Sequence, residues 1–376
     1  WEYKKLGEVC CPKNKIQRAA RCFDSSDKIL YIDISSIDNT IQKVTDITSV
    51  TFGDAPSRAQ QKIEYGDIVV STVRPNLKNI AIIDRYEPNI VASSGFCVLR
   101  NTECIERNYL FHYVTSDIFT QHLMKITTGA NYPAVRDQDV RDSIIPLPPK
   151  STQLAIVSEL DKINELICLK KEQLKDFDNL AQSIFYEMFG DPVENEMGWE
   201  VKKLVEVSSL INGRAYKQNE LLNEGKYKVL RVGNFFTNSN YYYSNLELDD
   251  EKYCYKGDLL FAWSASFGAF IWDEGKTIFH YHIWRVLFDE KNLNIYYYKY
   301  LLNTMTNFFM NDVHGIGMVH LTKAGMEQYN LPLPPLPLQH LFAHRIEQIE
   351  HQKSEVQNAI TDLETLLASR MQYWFE

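Results

Sequence analysis

The sequence predicts an α/β (α+β) protein built as an internal two-fold pseudo-repeat: two similar globules separated by two long antiparallel coiled-coil helices. Three observations carry this. The first is self-similarity, sought first because a missed repeat misassigns the whole fold. WEYKKLGEV at 1–9 returns as WEVKKLVEV at 199–207, and GDIVVS at 66–71 as GDLLFA at 257–262. YLFHYV at 109–114 returns as YYYKYL at 296–301, Gly129 as Gly315, and PLPPKSTQ at 146–153 as PLPPLPLQ at 332–339. The order is kept and the offset drifts only from 198 to 186. The second observation is that each copy ends in a long run without Gly and with apolar residues at heptad spacing. The third is that short β-rich runs, divided by Gly, Asn and Pro clusters, fill the rest of each copy.

Residues 1–150 form the first globule. Its β runs include IVVSTV at 68–73 and IAIID at 80–84, and a helical stretch follows at about 108–125. P-L-P-P closes it, because Pro suits a helix start and not a helix interior. A helix then occupies 151–190, with Leu160, Ile163, Ile167, Leu174, Phe177, Ala181, Ile184 and Met188 on one seam and Lys170 as its break. The junction GDPVENEMG at 190–198 supplies the linker, 191–198. The second globule, 199–335, repeats the pattern with DLLFAW at 258–263, RVLF at 285–288 and a helical stretch at about 295–311. The last helix, 336–376, has its seam at Ile346, Ile349, Val356, Ile360, Leu363, Leu367 and Trp374, interrupted by Lys353 and Arg370. Two seams in register over about four heptads indicate a coiled coil rather than an ordinary surface helix. Each helix, at about 37 residues and 1.5 Å per residue, reaches roughly 55 Å.

Composition narrows the function classes. The net charge of −9 argues at first against a nucleic-acid partner, but the acid is unevenly placed. Residues 1–150 carry 19 Lys+Arg against 18 Asp+Glu, and residues 199–335 carry 14 against 15. The helical segments hold the excess acid, so a DNA-contact patch is compatible with either globule. Seven cysteines without a C-x-x-C pair fit free thiols in a reducing cytoplasm. No apolar run reaches the length of a membrane span. No secretory leader is evident, and the chain opens on Trp1 rather than Met, which is consistent with further sequence before it.

Catalytic signatures are missing. There is no N-P-P-Y-like or D-P-P-Y-like methyltransferase motif, N-Y-P at 131–133 not being one, and no phosphate loop of the G-x-x-x-x-G-K-[ST] type. Asp258 with Glu274-Gly275-Lys276 has the approximate spacing of a nuclease metal site. The first copy offers only Asp67 and then Asp84-Arg85-Tyr86, and Asp258 also reads as a turn residue at a strand start. His340, His344 and His351 share a helix face but align with Leu154, Ser158 and Glu165, which favours a solvated or partner-facing surface over a metal site.

The ordered set W-x-x-x-K-L-x-E-V, G-D-[IL]-[LV], P-L-P-P-x-x-x-Q and a long helix, all repeated, resembles the specificity subunit of Type I restriction-modification systems. F-Y-E-M-F-G-D-P at the end of the first helix is similar to that family as well. The resemblance implies that the globules are target recognition domains, each reading one half of a split site in double-stranded DNA. It implies that the helices set the gap and bind two modification (methyltransferase) subunits, which restriction subunits join. S-adenosylmethionine, ATP and Mg²⁺ would then belong to the partners, and this chain would be a non-catalytic cytoplasmic subunit with no cofactor, metal or membrane contact of its own. A coiled-coil scaffold carrying two protein- or ligand-binding globules is the alternative.

DNA readers place donors and acceptors on loops, with Arg or Lys for phosphates. In the first globule these are Arg58, Arg74, Asn76, Lys78 and Ser94, with Asn131, Tyr132 and Arg136 on a Gly-led loop. In the second they are Arg231 and Asn234 in RVGN, and Trp263, Ser264 and Ser266 after a strand. His280 and His282 flank Tyr281, and His314 and His320 flank a Gly-x-Gly loop. The loop sets share locations but not residues, Arg74 aligning with Ala265, which suits two globules reading different half-sites.

Overall fold

The computed structural model describes residues 1–128, 133–236, 240–264, 266–311 and 321–376. It divides into two units, Trp1–Lys171 with Asn358–Glu376, and Glu172–Gln357. Each unit therefore contains a stretch of both long helices.

The strands of the first unit are β1 (Glu2–Lys5), β2 (Lys28–Ile32), β3 (Ile37–Asp38), β4 (Lys43–Val44), β5 (Thr48–Thr51), β6 (Ala59–Lys62), β7 (Ile68–Ser71), β8 (Ile80–Ile82), β9 (Ile90–Ser93), β10 (Phe96–Leu99) and β11 (Ile144–Leu147). They form sheets in the orders β5-β2-β9-β6 and β10-β7-β8, with the pairs β1-β11 and β3-β4. β2 and β9 run parallel, and Leu30 faces Ile90. The strands β7 and β10 are buried on both faces, and their side chains alternate between two cores, as the pleat requires. Ile68, Val70, Cys97 and Leu99 pack with Tyr109, Leu110 and Phe119. Val69, Phe96 and Val98 pack instead with Ile32, Ile63 and Ile90. One helical stretch was expected at 108–125. Two helices stand there, Arg107–Thr115 and Asp117–Ile126, because Ser116 is extended and its hydroxyl accepts from the Phe119 N–H at 3.2 Å, capping the second.

The second unit repeats this topology with β12 (Glu200–Lys203), β13 (Ser208–Asn212), β14 (Tyr227–Leu230), β15 (Tyr242–Ser244), β16 (Tyr253–Cys254), β17 (Leu259–Ser264), β18 (Ser266–Ile271), β19 (Thr277–Phe279), β20 (Ile283–Phe288) and β21 (Asn330–Leu333). The sheets are β15-β14-β19-β16, again with its central pair parallel, β13-β20-β17-β18, and the pair β12-β21. Here too the helical stretch is divided, into Ile295–Thr304 and Thr306–Asn311.

The repeated motifs are the hydrogen bonds of this frame. Glu8 and Glu206 each accept from the backbone N–H three residues earlier, at Lys5 and Lys203, closing the one-turn helix after β1 and β12. The Gln that follows P-L-P-P makes the same two bonds in both units. Gln153 donates to the Pro148 carbonyl at 2.9 Å and accepts from the Glu106 N–H at 2.7 Å; Gln339 does so with Pro334 and Asn294, at 2.8 Å each. The Tyr109 hydroxyl donates to the Pro146 carbonyl and that of Tyr297 to the Pro332 carbonyl, both at 2.8 Å. This last pair corrects the sequence alignment by one residue: Tyr109 corresponds to Tyr297, not Tyr296.

The long helices are Lys150–Phe189 and Leu336–Phe375, each of 40 residues. Within the first unit Glu159 pairs with Arg370 and accepts from the Trp374 indole, and Lys171 pairs with Glu364 at 2.8 Å. Within the second, Asp178 pairs with Lys353 at 2.7 Å. Arg345 also meets the Met188 sulfur at 3.8 Å in the second unit, so partner numbers fall on one helix as they rise on the other and the pairing is antiparallel in each unit. Leu160, Ile163, Ile167 and Ala181 are buried on the first seam, and Ile346, Ile349, Val356 and Ile360 on the second. The two breaks in the second seam, Lys353 and Arg370, are filled by these ion pairs. Among the described residues no helix is long and apolar enough to cross a membrane.

Candidate nucleic-acid interface

In the first unit the end of β7 leads into a group of loops tied together by backbone hydrogen bonds. Thr72 donates from its N–H and its hydroxyl to the Gly95 carbonyl at 2.9 and 2.8 Å. The Ser94 N–H donates to the Arg58 carbonyl at 2.8 Å, the Arg74 N–H to Pro133 at 2.7 Å, and the Val135 N–H to Thr72 at 2.9 Å. Arg58, Arg74, Ser94 and Arg136, separated by up to 78 positions in sequence, are thus carried on one connected set of turns, and all four are exposed. Arg74 and Lys78 take left-handed backbone conformations, with φ of 49° and 51°, at either end of the 3-10 turn Pro75–Leu77. Such strain in non-Gly residues clusters at functional loops. Asn76 lies exposed on that turn.

Two of these residues are more committed than the sequence suggests. The Lys78 ammonium donates to the Thr115 carbonyl at 3.1 Å and to Asp117 at 2.6 Å, which ties it to the junction between the two short helices. The Arg136 guanidinium, although its side chain is 83% exposed, holds Asp139 through two nitrogens and keeps that carboxyl below its ordinary range. Asn131 and Tyr132 lie outside the described residues.

In the second unit the candidates gather around the segment between β19 and β20. The His280 N–H donates to the Leu230 carbonyl at 2.9 Å, and the Tyr281 N–H to Arg214 at 3.1 Å. Trp263 stacks on Trp284 with ring centres 5.3 Å apart and meets His282 edge-on at 5.2 Å; its indole N–H donates to the Tyr281 carbonyl. These rings, with Asn212, Leu321, Thr322 and Lys323, line a pocket of about 340 Å³. Arg231 lies over the Tyr242 ring at 5.2 Å, and Asn234 accepts from the Arg231 N–H and donates to the Asn240 carbonyl. Sequence places Trp263, Ser264 and Ser266 on a loop after a strand. They belong instead to the strands themselves, since β17 and β18 stay paired up to Ser264 opposite Ser266, and Ser264 is only 2% exposed. His314 and His320 lie outside the described residues.

Burial, reinforced by the charges of His282 and Arg231, pushes the His280 pKa down to about 4. At neutral pH the ring is uncharged, with one donor and one acceptor nitrogen, which suits a base edge better than a phosphate. The folded value is below the unfolded one, so the unfolded state takes up the proton first as pH falls. The stability His280 preserves is present above pH 6.5 and is lost as pH drops toward 4. His280→Asn is expected to reduce the acid sensitivity of the second unit by about 1 kcal/mol at pH 5, an amount discounted for partial exposure. Urea midpoints at pH 7.5 and 5.0 check this; equal acid sensitivity in both proteins would refute it.

The residues of both apparent metal sites have other partners. Asp258 accepts from the Tyr255 N–H at 2.8 Å and faces Arg285 at 3.7 Å, just as Asp67 accepts from the Glu64 N–H and pairs with Arg100. Both are strand-start residues of the repeated frame. Glu274 pairs with Lys228, while Lys276 sits over the Tyr253 ring. His340 approaches the Asn294 amide, and His351 faces Glu355. No group of residues suited to a metal occurs among the described residues.

The fold is shared with known proteins. The family model described as Type I restriction modification DNA specificity domain matches residues 1–176 and again 196–364. The chain belongs to this family. Among relatives, the HindI specificity subunit of Haemophilus influenzae is 24% identical over 194 residues, covering 51% of this chain and 41% of its own. The chain thus spans about two fifths of that relative's length in the match. The putative MjaX specificity subunit of Methanocaldococcus jannaschii is 23% identical, with 93% of this chain and 87% of its own covered. A chain from a structural study of complex assembly and conformational transition in the type I R-M system is 28% identical with a TM-score of 0.62, covering 99% of this chain and 96% of its own.

One signal was missed in the sequence. Val9–Phe23 contains Lys13, Lys15, Arg18 and Arg21 and no acid. Averaging charge over 150 residues conceals it.

Proposed function

We propose that the chain is the DNA-reading subunit of a Type I restriction-modification complex, each globule reading one half of a split site and the paired helices setting the gap. The observation that carries this reading is the double family match, one over each copy, combined with loop sets that differ on a common frame. Two modification subunits dock on the long helices, whose outer faces leave Leu166, Leu169, Leu180 and Leu366 about half exposed. Exposed apolar side chains repeated along a helix support a partner surface. Restriction subunits join that assembly. S-adenosylmethionine, ATP and Mg²⁺ act on the partners, and the complex works in the cytoplasm.

Exchanging residues 1–145 for the equivalent part of another specificity subunit is expected to change one half of the methylated site and leave the other half as it was. Methylome sequencing of cells carrying the chimaera with its modification subunits reads this directly. A change in both halves, or in neither, would overturn the modular reading and favour a scaffold whose globules bind something else.

A further inference from the structure

We propose that Arg18, Arg21 and Arg58 form a track for DNA phosphates, running along the β6 edge of the first unit into its loop cluster. The proposal rests on the DNA-reading function above; it gives Arg58, already placed in the loop cluster, a phosphate contact and adds Arg18 and Arg21 from outside the reading loops.

The segment that supplies two of the arginines is anchored from within. Ile16 and Ala19 are buried in neighbouring cores, while Gln17, Arg18, Ala20 and Arg21 are exposed. Arg18 forms an antiparallel bridge with Gln61, and the Lys62 N–H donates to the Gln17 carbonyl at 2.9 Å. Continued in the antiparallel sense, the register brings the 3-10 turn Ala19–Arg21 alongside the start of β6, where Arg58 precedes Ala59. The strip is joined to the reading loops by two further bonds. The Arg58 carbonyl takes the Ser94 N–H, and the Gln61 amide donates to the Ser93 and Phe96 carbonyls on either side of the Ser94-Gly95 turn.

The charge at this edge is uncompensated. Arg100, Arg136 and Arg141 of the same unit each hold a carboxylate. Arg18, Arg21 and Arg58 make no ion pair among the described residues, and the stretch Val9–Phe23 contains no acid, in a chain of net charge −9. Lys13 is the cation there that finds a carboxylate, Asp137 at 3.4 Å. Spacing fits a phosphate backbone. Arg18 stands opposite Gln61, three residues of extended chain beyond Arg58 or about 10 Å, close to the rise of three nucleotides at about 3.4 Å each along one strand. Guanidinium groups bind phosphate in a planar, two-nitrogen mode and carry no sequence information when they do so.

The test uses the chain assembled with its modification subunits and a mixed-sequence duplex of 30 base pairs, with binding followed by fluorescence anisotropy from 50 to 300 mM salt. Each lost phosphate contact lowers the slope of log K against log salt by about 0.9. The triple variant Arg18→Ala, Arg21→Ala, Arg58→Ala is expected to lower it by about 2.7, with no change in the methylated motif. The triple Lys variant, which keeps the charges, is expected to retain the slope. An unchanged slope in the Ala variant, or a motif relaxed at one base, would overturn the phosphate assignment while leaving the DNA-reading function standing. Failure of the unsubstituted complex to bind duplex at all would overturn that function, and this inference with it.

Discussion

Inserting seven residues after Lys171 and seven more after Gln357 is expected to keep both half-sites and lengthen the gap between them by about three base pairs. Seven residues add roughly 10.5 Å of helix at 1.5 Å each, and a whole heptad returns the seam to the same face. The insertion points coincide with the boundaries of the two units, so neither core is entered. The ion pairs that fix the pairing stay intact, because Lys171–Glu364 lies wholly in the first unit and Lys353–Asp178 wholly in the second. Three base pairs also rotate the half-sites by roughly 100°, so part of the activity is expected to be lost. The measurement is the methylated motif. An active variant with matched insertions and an unchanged gap would show that the helices do not act as a ruler.

Arg141→Ala is expected to destabilise the first unit by about 3–5 kcal/mol, the usual consequence of removing one partner from a buried charged network. Arg141 is 5% exposed and ends the short helix Asp137–Arg141. Its nitrogens donate to Asp137 at 2.8 Å, to the Cys11 carbonyl at 3.0 Å and to the Val98 carbonyl at 2.7 Å. One side chain thus joins the N-terminal segment, strand β10 and the helix that follows the candidate loops. Lys cannot supply three donors in that fixed fork, so Arg141→Lys is expected to recover only part of the loss. Hydrogen exchange of the β10 amides, compared between the proteins, checks the prediction, and protection within about 0.5 kcal/mol of the original would contradict it.

The repeat and the two helices were legible in the sequence because heptad spacing and ordered motifs are local signals. Ile163 and Ile349 lie buried where the seams place them. The parallel pairing of β2 with β9 was not legible, since nothing in the residues near Leu30 specifies a partner sixty positions away. Ser116 divides a helix that propensity alone would carry through, and only its bond to the Phe119 N–H explains the break. The candidate contact loops were chosen by residue type and location, and backbone bonds bring Arg58, Arg74 and Ser94 onto one connected set of turns. Ser264 was read as a loop residue because the tightness of the β17–β18 hairpin has no signature in composition. Arg18 and Arg21 escaped because they join Arg58 only in the fold, through the Arg18–Gln61 bridge and the Lys62–Gln17 bond.

The bonds that close the frame have a consequence for inheritance. Glu8 and Glu206 complete their hydrogen bonds on backbone groups at the entry of a globule, Tyr109 and Tyr297 on carbonyls at its exit, and Gln153 and Gln339 on the exit and on the backbone at Glu106 and Asn294. A backbone carbonyl is present whatever residue occupies the position. The rest of the stretch can therefore diverge, or be replaced as a block that brings its own tyrosine and a backbone N–H at the position of Glu106 or Asn294, without any compensating change at the joint. Under the function proposed above, altered sequence preference and retained folding are then separate events, and one half of the site is able to change by itself.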